Sequence, residues 1–287
     1  MAIFTNRASL TYSGGTADSN TVTGELIEVL SAQKAAIPET YTAGSVTTYL
    51  VTLDNSGAAD LAGITVTDDL GAFAFGTETL VPLTYTAGSA RYFVDGTLQP
   101  APTVTEGEQL EFSGLSLPAG STAMLVYQAE ANSFAPLSEG SEITNTAVAS
   151  GAGLISAVSA QATVTLDSSA RLELEKQLSP ARVAENGQLT YSFIIRNYGT
   201  EAVDEASGAV FTDTFSPVLA DITATVGGTA IEEGTGYTYS QADGVFTTAA
   251  GVITVPAANV TQDPTTGEWT TVPGETVVVI TGTVTGF

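Results

Sequence analysis

Apolar and polar residues alternate along segment after segment of this chain. A period of two sends successive side chains to opposite faces of an extended strand, so the pattern predicts β-structure with one face buried. Thr48-Tyr49-Leu50-Val51-Thr52-Leu53-Asp54-Asn55-Ser56-Gly57 is a typical stretch, an alternating run closed by Asn-x-Gly. Tyr92-Phe93-Val94 runs into Asp95-Gly96, a dipeptide suited to a tight hairpin turn. One segment conflicts with the rest. Glu25 to Ala36 is rich in helix formers, but its counterpart later in the chain, Leu172-Glu173-Leu174-Glu175-Lys176, alternates cleanly. Both are therefore assigned as strands.

That counterpart belongs to an internal repeat. Lys34 aligns with Lys176, Tyr49 with Tyr191, Asn55 with Asn197 and Gly57 with Gly199, all at a constant offset of 142 residues. Thr190-Tyr191-Ser192-Phe193-Ile194-Ile195-Arg196-Asn197-Tyr198-Gly199 repeats the strand quoted above, and Val66-Thr67-Asp68 matches Phe211-Thr212-Asp213. Pro118-Ala119-Gly120-Ser121-Thr122 matches Pro273-Gly274-Glu275-Thr276. The reading is all-β, with two tandem Ig-like sandwiches over residues 30–167 and 172–287. The joint at 168–171 is short enough to hold the tandem fairly stiff.

The two copies are out of phase with the chain. Copy one closes with Ile143-Thr144-Asn145-Thr146-Ala147-Val148, a Gly-containing turn and Gln161-Ala162-Thr163-Val164-Thr165-Leu166, whereas copy two reaches Phe287 before any such hairpin. The matching segments stand at the other end: Phe4-Thr5-Asn6-Arg7-Ala8-Ser9, a Gly14-Gly15 turn, and Thr21-Val22-Thr23-Gly24-Glu25-Leu26. The expectation is that residues 1–29 form a donor arm. Its strands, with Phe4, Asn6, Ala8, Leu10, Tyr12 and Val22 at the contact, would complete copy two of a neighbouring subunit. Such a contact is heterologous and, if it does not close into a ring, propagates as a head-to-tail homopolymer. The competing outcome is an arm folded back into its own chain, which a short joint between the copies opposes.

Composition narrows the chemistry. The 287 residues are 43% hydrophobic and 8% aromatic, enough for a core in each copy, and the net charge of −24 disfavours nucleic acid and anionic membranes as partners. With neither Cys nor His, the chain lacks disulfides, thiolate chemistry and the commonest general base and metal ligand. No stretch is long and apolar enough to insert in a bilayer as a helix. Met1-Ala2-Ile3-Phe4-Thr5-Asn6-Arg7 lacks the basic and apolar regions of a signal peptide. Either a leader has been removed or the protein is made without one; the expected location is extracellular or at the cell or spore surface, reached in the second case by a dedicated export route or by lysis of the producing cell.

A lysine near the start, Thr-Tyr with an alternating run and Asn-x-Gly, Val-Thr-Asp, and Asn-Thr-Ala near the end together resemble the Ig-like repeats of bacterial and archaeal surface proteins. These are of the domain-of-unknown-function-eleven type, close to fimbrial isopeptide-forming domains. The resemblance covers both copies and implies β-sandwiches with an extracellular structural role.

Alternation also places three polar residues with the core. The chain's two lysines occupy equivalent positions: Lys34 shares a face with Leu30, Ala32 and Ala36, and Lys176 with Leu172, Leu174 and Leu178. Asp68 lies with Ile64, Val66 and Leu70, Asp213 with Ala209, Phe211 and Phe215, and Asn145 with Ile143 and Ala147. Burial favours a neutral amine and a neutral acid. A neutral lysine can attack a carboxamide while the acid polarises it and shuttles protons, releasing ammonia and leaving an isopeptide bond. Lys34, Asp68 and Asn145 form the intramolecular candidate set. Lys176 and Asp213 with Asn6 of the next subunit form the intermolecular one. The alternative is a buried ion pair beside a hydrogen-bonded amide.

Other chemistry is weaker, and the reading calls for no enzyme activity, cofactor or metal. Asp68-Asp69 are adjacent on a strand and face opposite ways, so they form no catalytic dyad; Glu232-Glu233 is a second acidic pair. Asp54, Asn55 and Asp60 offer oxygen ligands for calcium without EF-hand spacing, and turn formation accounts for them. Trp269 follows Asp263-Pro264-Thr265-Thr266-Gly267-Glu268, a hairpin turn first and a sugar-stacking platform second. A surface adhesin that does not polymerise is the alternative to the filament.

Overall fold

The computed structural model describes residues 2–151 and 153–286. Its regular elements are strands, apart from one 3-10 turn at Glu205–Ser207. The fold is all-β, and the segment that also read as helix forms the strands Val22–Leu26 and Leu30–Ile37. Two compact units are present: Met1–Pro136 with Ser141–Thr165, and Leu137–Gly140 with Leu166–Phe287.

Unit 1 packs two six-stranded antiparallel sheets. In the first, Thr97–Leu98, Arg91–Val94, Thr122–Ala131, Val46–Asn55 and Leu30–Ile37 lie side by side, and Leu83–Tyr85 also pairs with Thr122–Ala131. The second runs Thr103–Thr105, Leu110–Leu117, Leu61–Asp68, Glu142–Ser150, Val158–Leu166 and Thr40–Tyr41. In Val46–Asn55 every second side chain is buried, as the sequence alternates. Tyr49, Val51 and Leu53 meet Ile64, Val66, Phe112 and Leu115 in the core. The Phe112 and Tyr127 rings, one from each sheet, approach to 5.0 Å between centroids. At the hairpin after Val94, Asp95 and Gly96 both have positive φ (47° and 75°), the geometry that matches strand twist in a two-residue turn.

Unit 2 has a five-stranded sheet ordered Leu172–Ser179, Gln188–Asn197, Gly274–Gly286, Val218–Val226 and Thr229–Ile231. Facing residues come from a three-stranded sheet of Thr212–Thr214, Val245–Thr248 and Tyr237–Ser240. Phe193 packs on Phe211, and Phe215 on Tyr191 and Phe246. The ladders correct one sequence equivalence by a single residue. Thr122 pairs with Asp54, and Glu275 pairs with Arg196, which is Asp54's counterpart. Thr122 therefore corresponds to Glu275, not Thr276, and a one-residue shift exchanges the two faces of a strand.

The repeated Asn-x-Gly ties the loops at one end of each unit. Asn55 is buried, and its Nδ2 donates to the carbonyls of Ala59, Pro118 and Leu117 at 2.9, 3.0 and 3.2 Å. Its Oδ1 accepts from the Gly57 amide. Asn197 repeats this with Glu201, Pro256, Arg171 and Gly199. A side chain at Gly199 would place its Cβ 1.9 Å from the Ser169 carbonyl oxygen, which explains the glycine. Asn55→Ala strands buried carbonyls and is expected to destabilise unit 1 by about 1–3 kcal/mol, measured by denaturant unfolding.

Candidate functional site

Lys34 stands mid-strand in Leu30–Ile37, and Asp68 ends the strand Leu61–Asp68 in the opposite sheet. Alternation directs both inward, and neither side chain retains any solvent exposure. Lys34 Nζ donates to Asp68 Oδ2 at 2.6 Å and lies 5.0 Å from the centroid of the Tyr49 ring. Asp68 Oδ1 accepts from the Leu70 amide. Burial pushes the Lys34 ammonium below its ordinary pKa, and the nearby Asp68 charge opposes that shift in part.

The structure brings Asn145 to the same place, through a strand whose Ala147 pairs with Asp68. Asn145 is fully buried. Its Nδ2 donates to the Tyr127 hydroxyl at 3.2 Å, and that hydroxyl donates to Asp68 Oδ2. Two buried oxygens here, Asn145 Oδ1 and the Tyr49 hydroxyl, have no hydrogen-bond partner among the described residues. A buried carbonyl oxygen left without a donor is costly in the resting state. Burial raises the Tyr127 phenol well above its ordinary pKa, and the Asp68 charge adds to the rise. Tyr127 was not singled out from the sequence. Its signal is there: it shares a strand face with Ala123 and Leu125 yet carries a polar tip.

The equivalent site in unit 2 is half built. Lys176 Nζ donates to Asp213 Oδ2 at 2.7 Å and lies 4.9 Å from the Tyr191 ring centroid. The side chains remain 44% and 18% exposed, respectively. Leu172, Leu174 and Leu178 on the Lys176 strand are also exposed, Leu174 by 60%. Their openness has a structural cause. The Asp68 strand pairs with Leu110–Leu117 on one edge and Glu142–Ser150 on the other. Thr212–Thr214 pairs with Val245–Thr248 on one edge and, among the described residues, with nothing on the other.

The arm is a long antiparallel ribbon. Ala2–Asn6 pairs with Val22–Leu26, and Ser9–Tyr12 with Gly15–Asp18. The Arg7–Asp18 contact is an exposed ion pair and adds little. Ile3, Phe4, Leu10, Tyr12 and Val22 are exposed, Ile3 by 75%. Asn6 is exposed as well. The ribbon's register repeats the closing hairpin of unit 1. Phe4↔Gly24, Thr5↔Thr23 and Asn6↔Val22 stand in the places of Ile143↔Val164, Thr144↔Thr163 and Asn145↔Ala162. Bulk is redistributed within the first pair, because the Phe4 ring covers Gly24 so closely that a Cβ there would lie 2.4 Å from it. The root of the arm repeats too: Ser56 N donates to the Val29 carbonyl as Tyr198 N donates to that of Arg171.

The remaining candidates have structural roles. Asp54 accepts from the Thr122 hydroxyl and Asp60 from the Ala119 amide. Asp69 points away from Asp68 and accepts from the amides of Gly71 and Thr146. Among the described residues no group of three or more His, Cys, Asp or Glu is placed to hold a metal ion. Trp269 opens the second strand of the hairpin Asn259–Gln262/Trp269–Val272, whose turn is held by Asp263. It is half-buried there. No helix in the described residues is long and apolar enough to cross a membrane.

No protein-family model matches the chain, and no curated protein does. Among solved structures, it is similar to the pilus backbone protein RrgB from Streptococcus pneumoniae, at 15% identity and TM-score 0.34. That match covers 84% of this chain, which spans only 54% of the RrgB chain. It is also similar to BcpA, the major pilin subunit of Bacillus cereus, at 14% identity and TM-score 0.36, over 95% of this chain and 73% of that one. The collagen-binding subdomain of the Enterococcus faecalis surface protein ACE matches at 8% identity and TM-score 0.30, over 47% of this chain and 95% of its own.

Proposed function

We propose that this protein is the structural subunit of an extracellular filament, assembled head to tail by strand donation between identical chains. One observation carries the reading: from Ile3↔Glu25 to Asn6↔Val22 the arm repeats the register of the hairpin that closes unit 1, while the Asp213 strand in unit 2 has, among the described residues, a free edge where such a hairpin would lie. By the same equivalence, Ala8 of an incoming arm lies opposite Asp213, as Ala147 lies opposite Asp68. Asn6 then takes the place of Asn145 beside Lys176. The exposed faces of the arm and of the Lys176 strand are both apolar, and each covers the other.

The second part of the proposal is covalent. Lys34 and Asn145 condense within unit 1, and Lys176 condenses with Asn6 of the next subunit, each releasing one ammonia. Cross-links of this kind suit a fibre at the cell or spore surface, where no machinery repairs a broken joint. Negative-stain microscopy of the purified protein tests for the filament. Boiling in SDS tests the joints: native filaments give a ladder of multimers, and Asn6→Ala filaments give monomer. A native sample that runs as monomer alone rules out the covalent joint, with strand donation still judged by microscopy.

A further inference from the structure

The Lys34–Asn145 reaction needs a proton at one particular atom. The attacking amine loses protons on the Asp68 side, but the amide nitrogen must gain one, because it leaves as ammonia and not as an amide anion. Asp68 Oδ2 is the oxygen bonded to Lys34 Nζ at 2.6 Å, and the Tyr127 hydroxyl donates to that same oxygen. Asn145 Nδ2, the departing nitrogen, is 3.2 Å from the Tyr127 hydroxyl on its other side. Tyr127 is fully buried, which makes transfer along this chain of groups faster than delivery from solvent.

We propose that Tyr127 is the proton relay of this reaction, passing a proton from Asp68 to the departing nitrogen of Asn145. The inference rests on the reading of Lys34 and Asn145 as a bond-forming pair. Lys34 first gives a proton to Asp68, which makes the amine a nucleophile. Nζ attacks Cγ of Asn145. As the Cγ–Nδ2 bond breaks, Asp68 protonates Tyr127 while Tyr127 protonates Nδ2, and ammonia departs. Asp68 then takes the surplus proton from Nζ. One C–N bond forms and one breaks, Tyr127 ends as it began, and Asp68 ends as the neutral acid.

The joint site lacks this relay. Tyr127 lies opposite Tyr49 in its ladder, and the residue opposite Tyr191 in unit 2 is Ile280. Lysine, aspartate and the first tyrosine are repeated, but the second hydroxyl is not. The internal bond therefore closes as unit 1 folds, and the joint seals later, after an arm has docked. Subunits are locked before they are linked, which gives a misdocked arm time to leave.

The test is a time course of intact mass on newly synthesised full-length chain, native against Tyr127→Phe. The variant keeps the ring, and near-UV circular dichroism checks its folding. Loss of one ammonia is expected to slow by about 100-fold or more, the usual worth of a positioned proton donor. A purely structural role would slow the reaction equally at every pH. Loss of a relay makes the residual rate fall as pH rises, since the proton then comes from solvent, while the native rate does not. Ile280→Tyr supplies the missing hydroxyl at the joint and is expected to speed the SDS-resistant ladder; it decides the matter if Tyr127→Phe does not fold. Equal rates in native and Tyr127→Phe chains overturn the relay and leave the bond standing. A native chain that never loses ammonia overturns both, and an unchanged ladder rate in folded Ile280→Tyr filaments overturns the relay.

Discussion

Deleting residues 2–26 is expected to abolish the proposed filaments in the electron microscope while both units stay folded. The size of the effect follows from what the arm carries. Phe4, Leu10, Tyr12 and Val22 are large, exposed and on the face that would dock. Burial of each contributes about 1.5–3 kcal/mol. Association of two proteins costs about 4–15 kcal/mol in lost freedom, so arm side chains alone do little more than offset it. The margin comes from the acceptor. Leu172, Leu174 and Leu178 leave water at the same time, and the Asp213 edge gains a ladder of main-chain hydrogen bonds. The arm also arrives already paired as a ribbon, so much of its ordering cost has been met before docking. Repulsion between chains of net charge −24 opposes all this. It is confined by a Debye length of about 8 Å at physiological salt, and assembly should weaken as salt is lowered. Leu10→Asp, which puts a charge where unit 1 buries Ala149, should block polymerisation nearly as well as the deletion. Filaments that grow normally without the arm would end the strand-donation proposal.

Asp68→Ala is expected to remove the proposed internal bond and most of the stability of unit 1 together. Without the carboxylate there is no group to accept the lysine's proton, so intact mass shows no loss of ammonia. Lys34 is then left buried over the Tyr49 ring with no counter-ion. Removing one partner of a buried ion pair costs about 3–5 kcal/mol. Asn145→Ala separates the two losses, because it forbids the bond and keeps the Lys34–Asp68 pair. A covalent tie across a loop as long as that from Lys34 to Asn145 contributes about 4–5 kcal/mol if it acts, as a disulfide is thought to, on the unfolded chain. Thermal unfolding should thus rank native above Asn145→Ala, and Asn145→Ala above Asp68→Ala. If Asn145→Ala melts with the native protein, no bond stabilises unit 1.

Lys34, Asp68 and Asn145 could be assigned to the core from alternation alone, and all three are buried there. That reading works because the face of a strand is a local property, set every second residue by the backbone itself. The ribbon of the arm could likewise be read from the match with the unit 1 hairpin, but its turn falls at Ser13-Gly14, because Gly15 already pairs with Tyr12. Tyr127 shows where this kind of reading stops. Its inward face was predictable, but its hydroxyl meets Asp68 and Asn145 only because Thr122–Ala131 and Glu142–Ser150, in opposite sheets, come together across the core.

The one-residue step between Thr122 and Glu275 makes the same point more sharply. Short motifs aligned Thr122 with Thr276, which would have put Thr281 in the place of Tyr127. The ladder puts Ile280 there. The sequence by itself determined that this is a β-protein of two repeats with a lysine, an acid and an amide turned inward, because period and composition act over a few neighbouring residues. The tertiary structure alone decided which strands are neighbours, in what register, and which edge remains open. Those depend on turns and pairings between residues far apart in the chain, and a shift of one position there exchanges core for solvent.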